Sequence, residues 1–326
     1  MKKIGICTLY FANNYGAVLQ AFALQEVLKE MGHDVEFIKV RDIQINMQQP
    51  NADLFEKSRK YINLSKEIFD IDKDKYDAII IGSDEVWNIN NGTFEHFEEY
   101  FGKKLKAEKI ISYAPSANGV TCEQLKEFYG DDVKFEEFNC ISARDEVTKK
   151  LVKDISGRDA ELVLDPTLLV SDFSKYATNP FPELKDYIIL YAYKFSDEEK
   201  EKIIKFAKEN NKKIYSLAYK FDWAETLYTD IFGFLGVVKN ADYMMTNTFH
   251  GTLFALILEK EFAVFSNKNS KVEDIINKFQ FKDRDGINVE DLNEIFDNNV
   301  DYEKINKLKL MHRRKSLDFL ENVINN

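Results

Sequence analysis

The segment Thr246-Asn247-Thr248-Phe249-His250-Gly251 follows the apolar run Tyr243-Met244-Met245 and opens the run Thr252 to Leu258, so His250 falls where a strand ends and a helix begins. The first turn of a helix presents N–H groups without intrahelical partners and the positive end of the helix dipole, which suits a phosphate or carboxylate. An imidazole in that corner can trade protons with a bound anion. The plain alternative is a hydrogen-bonded structural histidine.

Three further loops carry polar groups at strand ends. Tyr10-Phe11-Ala12-Asn13-Asn14-Tyr15-Gly16 follows the first strand; with one glycine it is no dinucleotide fingerprint, and its amides and phenols suit a hydroxylated ligand or a simple polar turn. Ser83-Asp84-Glu85-Val86-Trp87-Asn88 follows a buried strand and Gly82, and a tryptophan beside Asp and Asn is a sugar-binding composition. Equally, Ser83-Asp84 caps a helix and Trp87 packs on it. Ser142-Ala143-Arg144-Asp145-Glu146 puts an arginine at a third strand end. It is either a bidentate clamp for carboxylate or phosphate, or the partner of Glu146 or of a neighbouring loop. Ser266-Asn267-Lys268-Asn269-Ser270-Lys271 ends the strand after the histidine with two lysines, which position alone leaves as surface charges.

Elements able to hold these loops alternate along the chain. Ile4–Leu9, Val35–Val40, Ala78–Ile81, Lys109–Ala114, Asn139–Ala143 and Leu162–Leu164 read as strands of a first set. Tyr187–Tyr191, Lys213–Leu217, Tyr243–Thr246 and Phe262–Phe265 read as strands of a second. Such alternation with helices gives parallel sheets covered on both faces. Ala17–Met31 has Leu24, Val27, Leu28 and Met31 at helical spacing and stops at Gly32; Ser196 with Glu199 forms a capping box for a helix reaching about Asn210. Residues 41–74 resist assignment beyond helical patches. A hinge is expected between Val170 and Asp186, where Pro180 and Pro182 flank Phe181. The expected domains are 1–173, 174–301 and a C-terminal amphipathic helix 302–326 packed across a domain surface, its His312-Arg313-Arg314-Lys315 cluster read as a solvated face.

With 326 residues, 44% of them hydrophobic, the chain can bury two cores. Lys+Arg 45 against Asp+Glu 56 leaves a net charge of -11, which argues against nucleic-acid or anionic-membrane binding. An anionic substrate must meet a local basic cluster. No signal peptide and no membrane-spanning run is legible, and three widely spaced cysteines give neither a disulfide framework nor a zinc site, so a cytoplasmic protein is expected. No ligand cluster for a metal is apparent.

Taken together, Asn13 to Ala21, Ser83 to Asn88, Ser142 to Glu146, Leu164-Asp165-Pro166-Thr167 and Thr248 to Gly251 resemble, in order and approximate spacing, the motifs of the polysaccharide pyruvyl transferase family, a likeness that spans roughly Ile4 to Phe279. The resemblance implies an α/β fold of two Rossmann-like domains with parallel sheets facing a cleft, as in GT-B glycosyltransferases. It also implies transfer of a pyruvyl group from phosphoenolpyruvate to a sugar diol, forming a cyclic ketal and releasing phosphate in exopolysaccharide or other surface-polymer synthesis. Phosphoenolpyruvate is then a co-substrate and no cofactor is needed. The acceptor is a lipid-linked or nucleotide-linked sugar, which would hold the protein at the inner face of the membrane.

By the same resemblance the N-terminal domain is the acceptor side and contributes Arg144, while the C-terminal domain is the donor side. Arg144, His250, Gly251 and Lys271 are expected at the donor, with Lys268 an alternative lysine; Asp145 stands where many members have Glu. His250, Arg144 and Asp84 are the expected catalytic residues, and Asn14, Tyr15, Gln20, Ser83, Trp87 and Asn88 the acceptor-binding ones. The competing expectations are a GT-B glycosyltransferase using a nucleotide sugar, and a catalytically silent sugar-binding protein on the same fold.

Overall fold

In the computed structural model, residues 1–41, 47, 50–92, 96–130 and 135–326 are described. The chain forms two compact units. One contains Met1–Met47, Ser58–Val170 and Met311–Asn326, the other Gln48–Lys57 and Ser171–Leu310.

The first unit is built on the strands β1 (Lys3–Cys7), β2 (Asp34–Lys39), β3 (Leu64–Ile68), β4 (Ala78–Ile81) and β5 (Lys109–Ser112), parallel and in the order β3-β2-β1-β4-β5. The central strands are legible because a strand covered on both faces must be apolar throughout, and every residue of β4 is fully buried. By contrast β3, inside the stretch that resisted assignment, is a mostly exposed edge strand with no clear alternation. The helices α1 (Tyr15–Glu30), α2 (Ala52–Arg59, most of it counted with the second unit), α3 (Cys122–Tyr129) and α4 (Glu146–Ser156) lie between or after these strands in the chain. α1 starts at Tyr15 rather than Ala17, because the Asn14 side chain accepts the Ala17 N–H at 3.0 Å and sets the cap there.

Two short parallel strands, β6 (Ser142–Ala143) and β7 (Glu161–Leu162), replace the longer ones expected around them. They run on from β5 through side chains: Ser112 Oγ donates to the Ser142 carbonyl at 2.9 Å, and Ser142 Oγ donates to the Ser112 carbonyl at 2.8 Å.

The second unit repeats the plan. The strands β8 (Tyr187–Tyr191), β9 (Lys213–Leu217), β10 (Glu225–Leu227), β11 (Tyr243–Thr246) and β12 (Glu261–Val264) are parallel in the order β10-β9-β8-β11-β12. The helices of this part of the chain are α5 (Asp197–Glu209), α6 (Ile231–Asn240), α7 (Phe249–Ile257), α8 (Ser270–Phe279) and α9 (Asn293–Phe296), followed by α10 (Tyr302–Asn325). Both halves of the Ser196/Glu199 capping box are formed at the start of α5. The core joins Ile188, Leu190, Ile203, Phe206, Met245, Ala263 and Phe265.

In each sheet the strand order reverses direction once, between β1 and β4 and again between β8 and β11. The loops leaving the carboxyl ends of those pairs diverge there, which is where doubly wound sheets take their ligands. Continuous α10 is divided by the two units at Leu310/Met311. It buries Ile305, Ser316, Leu320 and Ile324, and Lys109 Nζ donates to the Val323 and Ile324 carbonyls at its last turn.

Candidate active site

At the switch point of the first sheet, the chain after β4 turns through Gly82 at φ 105°, and a Cβ there would lie 2.4 Å from the Tyr113 carbonyl oxygen, so only glycine fits. Thr8, just past β1, donates its hydroxyl to the Ser83 carbonyl at 2.8 Å and ties the two diverging loops together. Asp84 follows, also in a left-handed conformation (φ 70°), with its carbonyl accepting the Ser116 N–H at 2.8 Å.

Arg144 lies at the end of β6 under these loops. Its side chain is 3% exposed, and its Nη1 is 3.0 Å from Asp165 Oδ2 and 3.6 Å from Asp84 Oδ1. Burial works against the charge, but Asp84, Asp165, Asp145 and Glu85 outweigh it and hold the guanidinium above its ordinary pKa. The guanidinium is therefore engaged by carboxylates of neighbouring loops. An arriving phosphate would compete with Asp84 or Asp165 for it.

Asp165, whose motif the sequence displays but whose role it hides, is the most completely held group here. Its Oδ1 accepts the Thr167 N–H at 3.0 Å and the Thr167 hydroxyl at 2.8 Å, while Oδ2 accepts from Arg144 and, at 3.4 Å, from Ser83 Oγ. The preceding residue is fixed from both sides, since Ser316 Oγ of α10 accepts the Leu164 N–H and the Tyr113 hydroxyl donates to the Leu164 carbonyl, each at 2.9 Å. Burial first, and then the Asp165 charge, push the Tyr113 phenol well up, which keeps it a donor. Asp145 completes the set as the cap of α4, accepting from Thr148 N at 2.8 Å and Ser116 Oγ at 2.6 Å.

Of the six residues expected to bind an acceptor, Asn14 alone keeps partial exposure; Tyr15, Gln20, Ser83, Trp87 and Asn88 are buried. Trp87 presents no ring face to a sugar. Its indole N–H donates to the Tyr100 carbonyl at 2.7 Å and its ring packs against Phe101, Phe135 and Phe138. Gln20 donates to the Ala17 carbonyl at 2.9 Å and Ser83 to the Ala114 carbonyl at 2.9 Å, so these polar groups shape the loops rather than line them. The polar side chains left with exposure at this edge include Asn13, Asp84, Glu85 and Asn118. Asn13 is held by Arg59, which donates to its Oδ1 at 2.6 Å and to the Phe11 carbonyl at 2.7 Å.

At the second switch point His250 is the second residue of α7, half-buried, two residues after the cap Thr248, whose hydroxyl accepts the Gly251 N–H at 3.0 Å. Gly251 is required by packing: a Cβ would lie 2.1 Å from Thr246 Oγ1 and 2.6 Å from Thr248 Oγ1. Asn247 staples the β8 loop to this turn, its Oδ1 accepting the Tyr193 N–H at 3.3 Å and its Nδ2 donating to the Lys194 carbonyl. From the neighbouring strand β12, exposed Lys268 stands in a left-handed conformation (φ 60°), and half-buried Lys271 follows in the first turn of α8. Buried Glu199 holds that loop by accepting from Asn267 Nδ2 at 2.8 Å. His250, Gly251 and the two lysines thus leave adjacent strand ends, β11 and β12. Among the described residues, no group of three or more His, Cys, Asp and Glu side chains is placed to hold a metal ion.

The profile of a known family, described as polysaccharide pyruvyl transferase, matches residues 14–269. The chain belongs to the polysaccharide pyruvyl transferase family. This pyruvyl transferase family member has a GT-B-like fold, as its structural neighbours show. A UDP-GlcNAc 2-epimerase from Methanocaldococcus jannaschii superposes with a TM-score of 0.52 at 11% identity, over 99% of this chain and 98% of the other. The Neisseria meningitidis UDP-GlcNAc 2-epimerase gives 0.51 at 9%, over 97% and 94%. An α-glucosyltransferase gives 0.51 at 11%, over 98% and 95%. At such identities the likeness concerns the fold alone. No curated protein matches the sequence. Among the described residues, no helix is long and apolar enough to cross a membrane.

Proposed function

We propose that this member of the family transfers the pyruvyl group of phosphoenolpyruvate to a sugar diol on a lipid-linked or nucleotide-linked acceptor during surface polysaccharide synthesis. The observation that carries this reading is the family match across residues 14–269. The geometry of the second unit supports it: a histidine in the first turn of α7 and lysines from the next strand suit a small donor bearing phosphate and carboxylate.

In this mechanism His250 delivers a proton to the methylene carbon of phosphoenolpyruvate, which becomes the methyl group, and the adjacent carbon gains cationic character. One acceptor hydroxyl attacks that carbon, the C–O bond to phosphate breaks, and the second hydroxyl closes the ketal. The two hydroxyl protons pass to the base and to phosphate. Asp84, partly exposed at the first switch point, is the group assigned to accept a hydroxyl proton, oriented by Arg144. We place the donor contacts on His250, the α7 N-terminus and Lys271 or Lys268, and give Arg144 the role of partner to Asp84 on the acceptor side.

The test is incubation with phosphoenolpyruvate and a panel of lipid-linked and UDP-linked sugars. Release of inorganic phosphate with a pyruvylated product supports the reading. Release of UDP without phosphoenolpyruvate consumption would identify a glycosyltransferase instead, and wild-type turnover by His250→Ala would remove the histidine from the chemistry.

A further inference from the structure

Arg144 Nη1 is shared unequally, 3.0 Å from Asp165 and 3.6 Å from Asp84. The Asp165 side chain is fully buried and held by both donors of Thr167, whereas that of Asp84 is 13% exposed. Opposite charges left alone close to a hydrogen-bonded pair at about 2.7–2.9 Å. Without the pull of Asp165, the guanidinium would close onto Asp84 and cover the oxygen a hydroxyl must reach. With it, Arg144 is near enough to orient Asp84 and too far to consume it.

We propose that Asp165 is a positioning residue for the acceptor chemistry, acting on Asp84 through Arg144. This rests on the pyruvyl-transfer reading with Asp84 as hydroxyl base. The Ser83 hydroxyl, whose single proton goes chiefly to the Ala114 carbonyl, also lies 3.4 Å from Asp165 Oδ2, so the buried carboxylate meets the residue before the base as well as the side-chain partner of the base. The fixing of Leu164 by Ser316 and Tyr113 gives that carboxylate its own firm seat.

A double-mutant cycle on turnover separates this role from a merely structural one. Asp84→Asn should lower kcat roughly 100-fold, within the usual range for a lost general base. Asp165→Asn should lower kcat about 10-fold, with the KM for phosphoenolpyruvate changed less than about twofold, because the proposed donor contacts are His250, the α7 N-terminus and a lysine after β12, whereas Asp165 meets Arg144, Thr167 and Ser83. In the Asp84→Asn background, Asp165→Asn should then change kcat less than about twofold. Equal losses in both backgrounds would overturn the proposal, as would a raised KM for phosphoenolpyruvate at unchanged kcat. If Asp165→Asn does not fold, Thr167→Val removes one donor from the carboxylate while keeping shape; its smaller loss of kcat must likewise vanish beside Asp84→Asn, and persistence overturns the idea. Wild-type protein that frees no phosphate from phosphoenolpyruvate would overturn function and inference together, whereas wild-type turnover with an additive cycle overturns this inference alone.

Discussion

Replacing Arg144 by leucine removes the guanidinium from a fully buried carboxylate. Asp165 keeps its two bonds from Thr167 and a long one from Ser83, so it is not stripped of partners, but its compensating charge is gone. Breaking one side of a buried ion pair costs about 3–5 kcal/mol. The surviving hydrogen bonds place this case near the lower end, so we expect a loss of about 3 kcal/mol, a large part of the roughly 5–15 kcal/mol by which folded domains exceed their unfolded chains. Adding Asp165→Asn to Arg144→Leu removes the orphaned charge, and the double variant should recover most of the deficit. Equilibrium denaturation in urea reads both through the midpoint at unchanged slope. Were Arg144 instead an open clamp awaiting a donor, Arg144→Leu would alter anion binding and leave stability within about 0.5 kcal/mol of wild type, the range of surface substitutions. A single variant that stable, or a double variant less stable than the single, would refute the reasoning.

Three more outcomes follow from the geometry. Gly251→Ala should destabilise the second unit by about 2–4 kcal/mol, because the new methyl group must push Thr246 or Thr248 aside and break the α7 cap; an unchanged thermal midpoint would contradict the close approach. Asn247→Ala removes the staple between the β8 loop and the histidine turn, and should speed amide hydrogen exchange at Tyr193 at least several-fold while leaving β8 itself protected. Burial, and secondarily the Glu99 charge, push the Cys7 thiol far up, so at pH 8 it stays protonated; a thiol reagent on native protein should label Cys122 and Cys140 ahead of Cys7, and equal rates would show that the first sheet opens readily.

The strands that carry the chemistry were legible because they are central. Ala78–Ile81, Tyr187–Tyr191 and Tyr243–Thr246 are apolar runs with glycine or polar residues close behind, and each ends at a switch point. Edge strands were not: Leu64–Ile68 and Glu225–Leu227 have at most one covered face and too little apolar content to stand out. Capping was readable at Ser196/Glu199 because both partners are local, and the junction position of His250 followed from strand and helix patterns meeting. Which way a polar loop side chain faces was not readable. Ser83, Gln20 and Asn88 have the composition of ligand contacts, yet their partners are backbone atoms or neighbouring side chains. Trp87 shows the same ambiguity, since an indole in a polar loop is equally able to anchor that loop in an aromatic core. The place of Asp165 depends on a partner 21 residues away and on a hydroxyl from 82 residues earlier, separations over which local pattern says nothing.

The division of α10 has a consequence for how the polypeptide reaches its final form. The first unit is completed by Met311–Asn326, which follows the second unit in the sequence and brings the Ser316 that secures Leu164 and the backbone carbonyls that receive Lys109. During synthesis, the first sheet must therefore wait, its seat for this part of α10 empty, until Met311–Asn326 has been made. The remainder of the second unit, Ser171–Leu310, emerges in the meantime, so the second unit has all its residues before the first does.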